Sequence, residues 1–239
     1  MTTLLVLLLV PTTLAGQTPP DIRTRLERLR TAAEGVSQCT YTFRRHEWTD
    51  GKQQPPHEMA VKFRKPLDIY MKWVGDTHKG RELLYRQGWN DGDMMVKPGP
   101  VIPTLSLDPK GKLAMRGSRH GIELIDLSKV ADIILDQTDR LEASATLSAT
   151  YTEQGSQSVN GEPSWCVQID LPKDDDTQLY AYRVDMCLSD RTGLLTRLRA
   201  WDQADGELRK VEDYEFRSIN LAPNLSDLDF DAENPAYGF

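Results

Sequence analysis

Met59-Ala60-Val61-Lys62-Phe63-Arg64-Lys65-Pro66, followed by Ile69-Tyr70-Met71-Lys72-Trp73, is the stretch that decides the fold class. Met59, Val61 and Phe63 alternate with Ala60, Lys62 and Arg64, the two-residue period of a strand with one wet face. Lys65-Pro66 breaks it, because proline cannot donate to a ladder. The alternation resumes in Ile69, Met71 and Trp73 against Tyr70, Lys72 and Val74. Upstream, Tyr41 and Phe43 alternate with Thr40, Thr42 and Arg44, and Asp50-Gly51 reads as a hairpin turn. Downstream, Arg81 to Arg86 and Met94 to Lys97 are separated by Gly88 and Asn90-Asp91-Gly92. Short alternating strands with Gly and Asp turns describe an antiparallel meander and not βαβ units.

The second half repeats the pattern, with strands expected near Ala143 to Thr152, Ser164 to Leu171, Leu179 to Leu188, Leu194 to Trp201 and Leu208 to Ile219. Two segments interrupt the β pattern. Ile22, Leu26, Leu29 and Ala33 form one helical stripe, with Asp21 as the expected N-cap and Gly35 as the stop. Residues 98–121 are irregular, and a loop this long is a lid, a binding element or an interface. A second helix follows, with Ser128 as expected cap and Val130, Ile133, Ile134 and Gln137 along one side. The fold class expected is mainly β with flanking helices.

The chain has 239 residues, 39% hydrophobic and 27% charged, a folding composition outside the disordered class. A net charge of −7 argues against nucleic acid, whose phosphates require a basic surface. Leu4 to Val10 is an unbroken apolar run, followed by Pro11 and Thr13-Leu14-Ala15-Gly16-Gln17, although no Lys or Arg precedes Leu4. Residues 1–16 are therefore expected to be a cleavable signal peptide, and 17–239 one β domain. The run is shorter than the roughly 20 residues a membrane-spanning helix needs. Gln17 stands where an acylated cysteine would have to be, so lipidation is not expected. The compartment expected is the periplasm or the medium, and not the membrane interior.

Three cysteines in an oxidising compartment raise the question of pairing. Trp165, Val167, Ile169 and Leu171 are the apolar face of one strand, and Tyr182, Val184, Met186 and Leu188 that of the next. Cys166 and Cys187 thus share the polar side of a hairpin, and a register setting Trp165 opposite Leu188 sets them opposite each other. A bridge between Cys166 and Cys187 is expected, with Cys39 buried and free; a two-residue slip would leave the pair diagonal.

The search for chemistry ends in exclusions. His57-Glu58 and His46-Glu47 each begin an HExxH pattern, but Val61 and Asp50 stand where the second histidine is needed. Gly117-Ser118-Arg119-His120-Gly121 lacks the glycine of a nucleophile elbow at position 116, which is arginine. Asp227, Asp229 and Asp231 imitate a calcium loop, yet Ala232 replaces its turn glycine. No metal site and no cofactor are expected. Arg116, Arg119 and His120, just before the second helix, would clamp a carboxylate or phosphate, or pin the long loop to acidic residues of the sheet. Gly80-Arg81-Glu82 reads as a scaffold ion pair entering a strand.

Tyr41-Thr42-Phe43-Arg44-Arg45, Lys62-Phe63-Arg64-Lys65-Pro66, Ile69-Tyr70-Met71-Lys72-Trp73 and Gly80-Arg81-Glu82-Leu83-Leu84-Tyr85 resemble blocks of a secreted bacterial family described as a domain of unknown function (DUF1571). So do Leu107-Asp108-Pro109, Leu113 to His120, and the ending Asp229-Phe230-Asp231 through Phe239. The order of elements also resembles the lipoprotein-carrier fold of LolA and LolB, which implies an incomplete antiparallel barrel with an N-terminal helix and a helical lid. Under that resemblance Tyr41, Phe43, Met59, Val61, Phe63, Met71, Trp73, Leu83, Tyr85 and Met94 become the lining of a cavity for acyl chains; otherwise they are a filled core. The leading expectation is a non-catalytic carrier of a lipid, acyl chain or lipoprotein. The alternative is an envelope scaffold that recognises a protein partner.

Overall fold

The computed structural model describes residues 18–174 and 177–239. The expected signal peptide and two of the three aspartates at 174–176 lie outside the described residues. Among the described residues, twelve strands form one antiparallel sheet. They are β1 (Gln38–Thr49), β2 (Lys52–Gln53), β3 (His57–Arg64), β4 (Asp68–Trp73), β5 (Glu82–Arg86), β6 (Met94–Lys97), β7 (Leu105–Leu107), β8 (Thr150–Val159), β9 (Glu162–Asp170), β10 (Arg183–Ser189), β11 (Leu195–Ala204) and β12 (Glu207–Asn220). Their order is β7-β6-β5-β4-β3-β1-β12-β11-β10-β9-β8, with β2 beside β1, so the sheet stays open. The first-half and second-half meanders join at β1 and β12, where Phe43 faces Phe216, Arg45 faces Tyr214 and Glu47 faces Glu212.

Local chemistry explains the hairpins. Asp50 and Gly51 both have positive φ, 53° and 69°, the pair of left-handed residues that a two-residue hairpin requires. The alternation of β3 and β4 puts Met59 opposite Trp73, Val61 opposite Met71 and Phe63 opposite Ile69, with all six side chains buried. Strand β4 is buried on its other face as well. There Tyr70 and Leu84 pack with Phe230 of the C-terminal segment, and the Tyr70 and Tyr237 rings stack 3.8 Å apart.

Helix α1 (Pro20–Glu34) buries Ile22, Leu26, Leu29 and Ala33, the expected stripe. Asp21 does not cap it. The helix begins one residue earlier with Pro20, whose missing N–H costs nothing in a first turn, and no side chain caps Pro19. Helix α2 (Leu127–Ala143) is capped by Asp126, whose carboxylate accepts from the Ser128 N–H at 2.9 Å and the Ser128 hydroxyl at 2.8 Å. Ser128, expected as the cap, is thus inside the first turn. The two helices are tied by Arg23, which donates to Asp139 at 2.8 Å and Glu142 at 3.1 Å.

The short strands β2 and β7 are not among those expected, β7 lying inside the segment 98–121 read as irregular, and the starts of β8 and β10 also differ from expectation. Helix α2 continues through buried Leu141 to Ala143, and the Ser144 hydroxyl then accepts from Leu147 N–H in a local turn, so β8 starts only at Thr150. Strand β10 starts at Arg183 and not near Leu179, because the Tyr180 N–H is drawn to the Gln137 side chain of α2 at 2.8 Å. The β9–β10 register sets Trp165 opposite Leu188 and Cys166 opposite Cys187, and these two cysteines are disulfide-bonded. Cys39 is free and buried among the apolar side chains of the core.

Candidate functional site

A cavity of about 900 Å³ lies between the sheet and the α2 side of the molecule. Met59, Met71, Trp73, Leu83 and Met94 wall it from the first meander, and Met186, Leu198 and Phe216 from the second. The opposite wall is α2, which has two working faces. Ala131 and Leu135 are buried in the core, whereas the stripe Val130, Ile133, Ile134 and Gln137 faces the cavity.

The ten side chains expected to line a cavity divide into two groups. Phe43, Met59, Met71, Trp73, Leu83 and Met94 are on the cavity wall. Tyr41, Val61 and Phe63 are instead buried in the packed core that includes Ile22, Leu26 and Leu29 of α1, and Tyr85 packs against that core half-buried. Tyr41 has a positioning role: its hydroxyl donates to the Ile125 carbonyl at 2.8 Å, tying the short turn before α2 to the sheet. The wall from the second meander was absent from the expected set, although Met186 belongs to the apolar parity set read from its own strand. Alternation alone does not tell which inward side chains of the two meanders border empty space.

Along three rows of the first meander the inward face changes from apolar to polar at one end. The parity that carries Phe43 continues to Arg45 and Glu47, that of Met59 runs back to His57, and that of Leu83 back to Arg81. The same alternation separates Arg81 from Glu82. Arg81 reaches the cavity, whereas Glu82 pairs with Lys72 at 2.9 Å and accepts the Gly238 N–H, so the expected Arg81–Glu82 ion pair does not form.

Arg116, Arg119 and His120 are not one cluster. Gly117, at φ 69°, closes a turn in which Ser118 N–H donates to the Met115 carbonyl at 3.0 Å. Beyond that turn Arg119 donates to Glu212 at 2.7 Å, His120 Nε2 lies 2.9 Å from the same oxygen, and the Tyr180 hydroxyl donates to the other oxygen. Glu212 is fully buried. Burial opposes its charge, but the hydrogen bonds and charges of His120, Tyr180 and Arg119 outweigh it and hold the carboxyl below its usual range. The loop is thereby pinned to β12. Arg116 lines the cavity and makes none of these contacts.

Across the β1–β12 pair, Glu47 accepts from the Tyr214 hydroxyl and lies 3.4 Å from Arg45, which also donates to Ser118. Next to it His57 Nδ1 lies 3.3 Å from Trp73 Nε1, which donates to it. Burial, then the charges of Arg45, His78 and Arg81, push the His57 imidazole down to about 3. Asp227 and Asp229 do not form a cation loop; they pair with Arg64 and Lys62 at 2.8 Å and 2.7 Å. Among the described residues no group of three His, Cys, Asp or Glu side chains is arranged to hold a metal. Among them, too, no helix is long and apolar enough to cross a membrane.

Solved structures place the architecture. The lipoprotein LppX of Mycobacterium tuberculosis matches 87% of this chain and 100% of its own with a TM-score of 0.52 at 12% identity. A LolA superfamily protein from Nitrosomonas europaea matches 92% and 98% with a TM-score of 0.37 at 9% identity. LprF from Mycobacterium bovis matches 85% and 94% with a TM-score of 0.45 at 14% identity. The open antiparallel sheet with its two helices shares its fold with LppX. No curated protein matches the chain. The chain belongs to the family described as "Protein of unknown function (DUF1571)", whose model matches residues 36–239.

Proposed function

We propose that this protein is an exported, periplasmic carrier that holds the acyl part of a lipid or lipoprotein inside its half-barrel and performs no chemistry on it. The observation that carries this reading is the cavity of about 900 Å³, which falls at the upper end of the roughly 300–1,000 Å³ typical of small-molecule sites. Its wall of methionines and aromatics suits a flexible chain, because the thioether side chain adapts to irregular apolar surfaces. The fold shared with the lipoprotein LppX supports the reading at the level of architecture alone. Arg119, His120 and Tyr180, the polar groups nearest the long loop, are engaged with Glu212, which supports a structural part for them over a catalytic one.

The test is mass spectrometry of organic extracts from protein purified gently from its own envelope. A stoichiometric lipid or acylated peptide is the expected result, and it should be lost from Met71→Arg and Leu83→Arg variants that keep the native circular dichroism spectrum. Both side chains are on the cavity wall. Unchanged lipid in both folded variants would move binding away from this cavity. An empty protein that also refuses a fluorescent fatty acid would leave the interaction-scaffold reading in its place.

A further inference from the structure

The polar end of the cavity carries more positive than negative side chains, with Arg45, Lys52, Arg81 and Arg116 on its wall against Glu47 and Asp50. Arg45 and His57 face each other across β1 and β3, with Nη2 and Nδ1 3.4 Å apart. The His57 and His78 rings meet edge to face at 5.3 Å, and Arg81 Nη2 lies 3.2 Å from His78 Nδ1. These four side chains thus form one contiguous group on the cavity wall. Glu47 reaches it with one oxygen 3.4 Å from Arg45, while its other oxygen accepts from the Tyr214 hydroxyl; Asp50 also lines the cavity but pairs with none of the four.

Arg81 is the least compensated. Its Nε is buried without a hydrogen-bond partner, and among the described residues its guanidinium pairs with no carboxylate. A buried unsatisfied donor is rare in folded proteins and calls for a missing acceptor. Its guanidinium sits 5.5 Å from the centre of the Trp73 ring, a contact that orients the fork but supplies no acceptor. Arg116, also on the cavity wall, makes no hydrogen bond or ion pair among the described residues. Burial and neighbouring cations lower the basicity of His57, His78 and Arg81 alike; His57 is thereby neutral near pH 7, and the positive charge of the group rests on its arginines.

We infer that the ligand is an anionic amphiphile whose carboxylate or phosphate head is held by Arg81 and Arg45, with Arg116 also on the cavity wall and the acyl tail against Met71 and Leu83. Guanidinium forks match planar carboxylates and phosphates with paired hydrogen bonds, and an oxygen acceptor here would satisfy the orphaned Nε. This inference rests on the carrier reading and adds to it the chemistry of the head group.

The experiment measures affinities of the purified protein for palmitate and hexadecanol, and for dipalmitoyl phosphatidic acid and dipalmitoylglycerol, by displacement of a fluorescent fatty acid. Each pair has the same tails and differs in the charge of the head. Wild-type protein should favour the anionic member of at least one pair roughly tenfold or more, the range of hydrogen bonds to charged groups. Arg81→Gln should collapse that ratio toward one, and Arg81→Lys should keep part of it. A preference within the palmitate pair alone marks a free carboxylate, and one within the phosphatidic acid pair alone a lipid phosphate. Equal affinity within both pairs in the wild type would overturn the head-group assignment while leaving the carrier standing. An unchanged ratio in Arg81→Gln would also overturn it. Failure of all four probes to bind would overturn the carrier reading and this inference with it.

Discussion

Replacing Glu212 should unfasten the loop that roofs the cavity. Its carboxylate is fully buried and accepts from Arg119 at 2.7 Å, from His120 at 2.9 Å and from the Tyr180 hydroxyl. In Glu212→Ala three donors lose their acceptor, and Arg119, half-buried, loses its ion-pair partner. Removing one member of a buried ion pair costs about 3–5 kcal/mol, a large share of the roughly 5–15 kcal/mol that stabilise a typical domain. Glu212→Gln keeps one oxygen acceptor but turns an amide toward a donor, and should cost roughly 1.5–3 kcal/mol, the worth of a hydrogen bond to a charged group. Arg119→Gln should cost less, because His120 and Tyr180 still reach the carboxylate. Urea denaturation followed by tryptophan fluorescence gives these differences, and hydrogen exchange should show faster opening around Ser118 to His120. A loss below about 1 kcal/mol in Glu212→Ala, with unchanged exchange in that turn, would refute the clasp.

Three further outcomes follow from the same geometry. His57 titrates at about 3 in the fold against 6.5 for the free group, so the unfolded chain takes up its proton first. Its contribution is complete above pH 6.5 and is lost as pH falls toward 3; denaturation midpoints between pH 7.5 and 5 should fall less steeply in His57→Gln, and an identical slope would remove His57 from the account. Saturated alcohols of increasing chain length should bind about fourfold more tightly per added methylene, from roughly 0.8 kcal/mol each, until the cavity is full; a flat series in the displacement assay would argue against acyl burial there. Cys166 and Cys187 are 21 residues apart, and loop-closure entropy gives their bridge about 3 kcal/mol, so the Cys166→Ala/Cys187→Ala protein should show that loss in denaturant, and no loss would mean that the bridge does not constrain the unfolded chain.

Much of the architecture could be read from residue alternation. The period of two in Met59–Val61–Phe63 and Ile69–Met71–Trp73 sets which side chains point inward, and the Asp50-Gly51 turn requires backbone conformations that few other residue pairs tolerate. The same parity placed Cys166 and Cys187 on one side of a hairpin, where the β9–β10 register now sets them face to face. It also carried the rim, since Arg45, His57 and Arg81 extend the inward rows of Phe43, Met59 and Leu83. Arg81 and Glu82 are neighbours in sequence, but alternation puts them on opposite faces, so adjacency alone suggests an ion pair that the strand forbids.

Alternation names a face, but it cannot say what lies against that face, and here the tertiary structure made the decision. Tyr41, Val61 and Phe63 share the parity of Met59 and Met71, yet the first three are part of a filled core and the last two border open space. Likewise Tyr70 looked wet until Phe230 and Tyr237, far along the chain, covered it. Arg119 and His120 became a clasp only when the Gly117 turn brought them to Glu212, whose position on β12 is set by its pairing with β1. Short-range periodicity is governed by the backbone geometry of neighbouring residues, so the sequence by itself determined most of the long strands, their faces and the buried stripe of α1, but not the short β2 and β7 or the starts of β8 and β10. Cavity, clasp and unpaired cations depend on contacts between segments tens to more than a hundred residues apart, which the chain's local pattern does not encode.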